Sequence, residues 1–154
     1  MVRPPLFAVL VGLTLISTTG GAQDTTSKSG QSGEVETALE QTSMGPVCWA
    51  AIVEATVQIA ERCSMDVRQD TIQELNKAGE ALGRKFIESG WTLEYLEGFR
   101  RQMGEADVAT EDLCAKADAV QFAEAVAGSS PEYVKATTEQ MLARPGPPEW
   151  GTCL

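Results

Sequence analysis

The sequence predicts an all-α fold: a small, disulfide-stapled bundle of four to five helices behind a flexible N-terminal leader, closed by an extended C-terminal strap. Three observations carry that expectation. Apolar side chains recur at helical spacing through most of the region from Pro46 to just before Pro145, and no stretch alternates as a strand does. Residues that start and stop helices punctuate the same region. Four cysteines, Cys48, Cys63, Cys114 and Cys153, follow an export-like N-terminus in a chain without histidine, the context in which cysteines are stored as disulfides.

The N-terminus has the layout of a secretory signal. Arg3 supplies the positive charge, Leu6 to Ile16 the apolar run, and Gly20-Gly21-Ala22 the small residues of a processing site. Cleavage is expected after Ala22. The rival reading is a retained anchor, but the apolar run is about half of the roughly 20 residues a spanning helix needs. Residues 23–44 read as a flexible leader, because their Ser/Thr/Gly/Gln-rich start offers almost nothing to bury against the entropy of ordering. Residues 45–154 read as one helical domain.

Order is expected from Pro46, a residue suited to a first helical turn. Cys48, Ile52, Ala55, Ile59 and Cys63 form a stripe widened by Trp49, Val53 and Val57, with Glu54, Gln58, Glu61 and Arg62 largely opposite. This is the most apolar segment after the signal and should be the central helix. A second helix is expected from about Asp66 to Ser89, with Ile72, Leu75, Gly79, Leu82 and Phe86 inward and Gly90 as its stop. Gly79 and Gly83 each weaken a helix by about 1 kcal/mol relative to Ala, which points to close approach of a neighbouring helix. Thr92 caps a third helix, Leu93 to Met103, ended by Gly104. Thr110 is expected to cap a fourth that ends near Gly128, with Glu111 and Asp112 where the helix dipole favours negative charge. Ser130-Pro131-Glu132 opens a fifth, which must stop before Pro145. Pro145 to Trp150 should be an extended, polyproline-like strap.

The cysteine spacings select a pairing. Cys48 and Cys63 are 15 residues apart, roughly 22 Å along a continuous helix, whereas a disulfide needs Cα atoms within about 7 Å. Short connections make successive helices antiparallel, so the third descends beside the first and the fourth begins at the foot, with Cys114 beside Cys63. A descending fifth helix would leave the tail at the foot as well. Nine extended residues span about 28 Å, enough to return to Cys48. The expected bridges are therefore Cys63–Cys114 and Cys48–Cys153. The absence of C-x-x-C argues against a thioredoxin-type pair, and the absence of C-x-x-C-H against attached haem.

Composition narrows the function. The chain carries 22 acidic and 12 basic side chains, a net charge of −10. Loss of residues 1–22, whose one charge is Arg3, leaves 132 residues at −11. Such a domain is repelled by nucleic acid and by anionic lipid. A protein partner is expected, with a basic surface as the sharper form of that expectation. Without histidine, Ser–His–Asp and Cys–His catalysis and H-E-x-x-H zinc sites are excluded. Neither a phosphate-binding glycine loop nor an EF-hand loop is present. No cofactor or metal is expected.

Carboxylates do fall at shared-face spacings: Asp66, Asp70 and Glu74, and again Glu94 and Glu97. Such sets are usually solvated faces. The more informative pattern is Trp91, Tyr95 and Phe99, one aromatic per helical turn, with Leu93, Leu96 and Met103 on another side. Burial of Phe99 and Leu96 is expected, leaving Trp91 and Tyr95 at a rim as partner-binding candidates. In outline the chain resembles small exported helical proteins, including bacterial inhibitor and immunity proteins, a likeness of architecture that carries no site residues. The function expected is a non-enzymatic, exported protein-binding module: an inhibitor, immunity or accessory envelope protein. The alternatives are a carboxylate-based hydrolase or small-ligand or cation binder, and a structural or stress-protective envelope protein.

Overall fold

The structure, a computed structural model, describes residues 44–153; the signal and almost all of the leader lie outside the described residues. The described residues form six helices: α1 (Pro46–Arg62), α2 (Gln69–Glu88), α3 (Leu93–Met103), α4 (Thr110–Cys114), α5 (Ala117–Ala127) and α6 (Pro131–Ala143). An isolated antiparallel bridge between Met44 and Gly151 is the one β contact among them. The fold is an all-α bundle stapled by two disulfides.

The central position of α1 follows from its composition. It packs against every other helix, and Val47, Cys48, Trp49, Ile52, Val53 and Val57 are all buried. Helix α2 lies antiparallel to α1 and presents Leu75, Leu82 and Phe86, each fully buried. Its glycines serve the close approach anticipated for them. A Cβ on Gly79 would stand 3.5 Å from Val53 Cγ1 of α1, and one on Gly83 would stand 3.2 Å from Leu96 Cδ2 of α3. Buried polar groups are paired across elements. The Trp49 indole N–H donates to Thr138 Oγ1 at 2.9 Å, and Thr71 Oγ1 donates to the Ser129 carbonyl at 2.9 Å.

Helices α1, α2 and α3 end in the same way, and this sets the loops. In α1, Met65 N–H reaches Ala60 O at 3.1 Å and Ser64 N–H reaches Glu61 O at 3.4 Å, with Ser64 left-handed at φ 49°. This pair of bonds, the Schellman closure, consumes residues 63–65. Helix α2 therefore starts at Gln69, not near Asp66 as the periodicity suggests. Arg62, in the last turn of α1, then gathers the loop after α3. Its guanidinium donates to the carbonyls of Gly104 at 3.2 Å, Glu105 at 2.9 Å and Val108.

Further expectations need correction. Met44, assigned to the leader, is only 1% exposed and belongs to the core. The expected helix from Thr110 to Gly128 is two helices, broken at Ala115-Lys116. Ala-Lys-Ala is a good helix sequence, so the break is tertiary. Cys114 is tied to Cys63 and Leu113 is fully buried in a small cluster with Ile59 and Ala123, while Val126, farther along α5, joins the main core. Thr110 is the first helical residue, not the cap, which is Ala109.

Another correction concerns direction. The Thr71–Ser129 bond joins the start of α2 to the start of α6, and Lys85 Nζ donates to Leu142 O at 2.8 Å and Arg144 O at 3.0 Å where both helices end. Helices α2 and α6 are thus parallel neighbours. The strap begins at the Cys48 end of the bundle and does not have to cross it. It bends at Gly146, with φ 88°, and runs antiparallel to residues 44–47: Val47 N–H donates to Glu149 O at 3.1 Å and Gly45 N–H to Trp150 O at 2.9 Å. Cys48–Cys153 closes it, with a Cα–Cα distance of 5.7 Å, and Cys63–Cys114 closes the opposite end at 5.5 Å. The pairing is the one expected, reached by a different path of the chain.

Candidate functional site

The local sequence builds an aromatic ladder. Gly90 takes φ 102°, a left-handed conformation that glycine adopts without strain. This closes α2 through Gly90 N–H to Ile87 O and Trp91 N–H to Phe86 O, both 3.0 Å. That closure brings the residue after the glycine back onto the last turn of the helix, and the Trp91 ring lies 4.7 Å from that of Phe86. Thr92 then starts α3, its hydroxyl accepting the Tyr95 N–H at 3.1 Å. One and two turns on, Tyr95 and Phe99 meet Trp91 edge-to-face at 4.6 and 5.6 Å. The strap adds a fifth ring, Trp150, 6.1 Å from Phe99.

Burial divides this ladder. Phe99 and Leu96 are buried and Trp91 is partly so. Among the described residues the large apolar side chains left exposed are Leu93 at 68%, Tyr95 at 62% and Trp150 at 49%. All three lie on α3 or on the strap beside it. Tyr95 and Trp150 flank a groove of about 530 Å³ whose lining also includes Gly98, Phe99, Glu94 and Gln102. A Cβ on Gly98 would meet nothing within 4 Å, so the groove is open there. Leu93 faces a second depression of about 440 Å³ between α2 and α3, where Ile87 and Leu96 meet Arg84 and Arg100.

The strap's contribution was not assigned from sequence. Trp150 is read there only as part of an extended strap, whereas half of it stays open and forms part of the groove. The usable signal was Cys153. A bridge to Cys48 three residues past a tryptophan places that ring beside the start of α1, next to the aromatic helix.

The carboxylates are distributed differently from their spacing. Asp66 precedes α2 and so shares no helical face with Asp70 and Glu74. Asp70 pairs with Arg68 at 2.7 Å, which holds its carboxyl below the ordinary value, and Glu74 pairs with Lys77 at 3.0 Å. Glu94 and Glu97 are exposed on α3. A third depression, about 370 Å³ between α1, α2 and α3, holds Glu54 and Glu80. Each faces an arginine: Glu54 lies 2.9 Å from Arg100, and Glu80 lies 3.9 Å from Arg84. Burial pushes the Glu54 carboxyl above its ordinary value, against the opposing pull of Arg100. Among the described residues no group of three His, Cys, Asp or Glu side chains is placed to hold a metal ion, and no helix is long and apolar enough to cross a membrane.

No family model, curated protein or solved structure matches the chain.

Proposed function

We propose that the protein is an exported binding module that engages a protein partner through the aromatic groove formed by α3 and the strap, in the manner of an inhibitor, immunity or accessory envelope protein. One observation carries this reading. Among the described residues the large apolar side chains left exposed, Leu93, Tyr95 and Trp150, gather on one short helix and the strap beside it. Aromatic side chains on a rigid support are favoured anchors of protein interfaces, because they supply contact area at little entropic cost. The support is rigid by construction: α3 is capped, its inner face is buried, and the strap is fixed by Cys48–Cys153. Export is supported by the two disulfides together with the signal-like residues 1–22.

The test is site-directed photocrosslinking in the cells that make the protein. A benzophenone side chain replacing Tyr95 should yield one discrete adduct with a protein outside the cytoplasm. The same group at Gln73, exposed on α2, should yield none. Equal or absent labelling at the two positions rejects the reading.

A further inference from the structure

The groove has the chemistry of a cation receptor, and we propose that it takes an arginine side chain from an extended basic segment of the partner. This rests on the protein-binding reading above and names what that partner must present. Three rings, Tyr95, Phe99 and Trp150, line one groove, Glu94 shares its lining, and among the described residues no lysine or arginine does. A cation over an aromatic face is held by the ring quadrupole, and a guanidinium can stack on a ring while donating to a carboxylate.

The basic residues nearest to the groove in sequence are committed elsewhere. Arg100 contacts Glu54 and donates to Gly79 O at 3.2 Å, and Arg101 pairs with Asp107 at 2.8 Å. The groove therefore keeps an aromatic and anionic lining that Arg100 and Arg101 do not neutralise. The depression beside Leu93 is the opposite case, since Arg84 and Arg100 line it together with Leu93, Leu96 and Ile87. An anionic or neutral apolar occupant would find better partners there. The charge of the whole chain, −10, acts in the same sense at longer range, steering a basic segment towards the surface.

The experiment is a titration of the oxidised, isotope-labelled protein with a blocked peptide of alternating glycine and arginine, followed by amide and indole NMR. A second peptide carries citrulline, which keeps the shape of arginine without its charge. The arginine peptide should shift the Gly98 amide and the Trp150 indole N–H saturably, and the citrulline peptide should bind at least about tenfold more weakly. Tyr95→Leu, which keeps apolar bulk and removes the π face, should weaken arginine-peptide binding about fivefold. Glu94→Gln should weaken it and flatten its dependence on salt. Should Tyr95→Leu disturb the fold, Trp150→Leu read at Gly98 serves in its place. Shifts scattered over the acidic surface and unaffected by these substitutions mean non-specific adsorption and overturn the proposal, as does equal binding of the citrulline peptide. A crosslink at position 95 that the arginine peptide fails to compete away defeats this inference while leaving the protein-binding reading standing.

Discussion

Gly45 donates its amide to Trp150 O at 2.9 Å, and the two segments approach so closely that only glycine fits. A Cβ at position 45 would fall 2.6 Å from both the carbonyl carbon and the carbonyl oxygen of Trp150, and closer still to Glu149 O. The obstruction is backbone and cannot rotate away. Gly45→Ala should therefore push the strap off residues 44–47 and lower stability by about 1–3 kcal/mol, the usual cost of overpacking. Urea unfolding checks the magnitude, and a shift of the Trp150 indole resonance checks the place.

The Cys63–Cys114 bridge has a different task. It joins residues 51 apart, which in the chain-entropy model is worth about 4 kcal/mol, and it anchors α4. A five-residue helix is far too short to persist without tertiary support. The double replacement Cys63→Ser/Cys114→Ser should remove hydrogen-exchange protection from residues 110–114 first and lower global stability by about 2–4 kcal/mol. Protection there equal to that of the wild type would assign α4's stability to Leu113 packing instead.

Trp49 and Thr138 form the buried polar link between α1 and α6. Thr138 passes the chain on, donating its own hydroxyl to Val134 O at 2.7 Å. Thr138→Val keeps the shape and strands the indole N–H, at a cost of about 1–3 kcal/mol. Thr138→Ser retains the hydroxyl and should cost less. Equal thermal shifts for the two variants would show that the methyl group, not the hydrogen bond, carries the contact.

Glu54 gives a pH dependence of definite sign. Its carboxyl is raised above the ordinary 4.5, first by burial, with the Arg100 charge opposing. A group easier to protonate when folded contributes stability fully below its unfolded value, and that contribution is lost as pH rises through the folded value. Relative to Glu54→Gln, the wild type should thus gain stability as pH falls from neutrality to 4.5 and level off below it. A wild type that loses ground to the variant on acidification would make attraction to Arg100 the dominant effect.

How much of this was legible depends on how far each signal reaches. The Cys48–Ile52–Ile59 stripe, the Thr92 and Ser130 caps and the Gly90 stop act within a turn or two of helix, and all operate where the residues place them. The burial of Leu96 and Phe99 beside an exposed Tyr95 also follows from their phase on α3. What failed to read was direction. Nothing local in Ala115-Lys116 breaks a helix. The break arises because Cys114 and Leu113 are held beside Cys63 and Ile59 while α5 carries Val126 into the main core. Once α4 and α5 part, α6 runs parallel to α2, and the strap starts near Cys48 instead of a bundle-length away. The disulfide pairing survived that error because two bridges at opposite ends satisfy either path. The groove suffered from it, since the place of Trp150 depends on how the strap arrives.

The central claim is that Cys48–Cys153 holds Trp150 against Phe99 and so completes the groove. Its most direct measurement is the set of nuclear Overhauser contacts among the aromatic rings, in the oxidised protein and in Cys48→Ser/Cys153→Ser. Contacts between Trp150 and Phe99, whose centroids lie 6.1 Å apart, should be present in the first and lost in the second, while those between Trp91 and Tyr95, at 4.6 Å, persist in both. Trp150–Phe99 contacts that are missing from the oxidised protein, or undiminished without the bridge, contradict the claim.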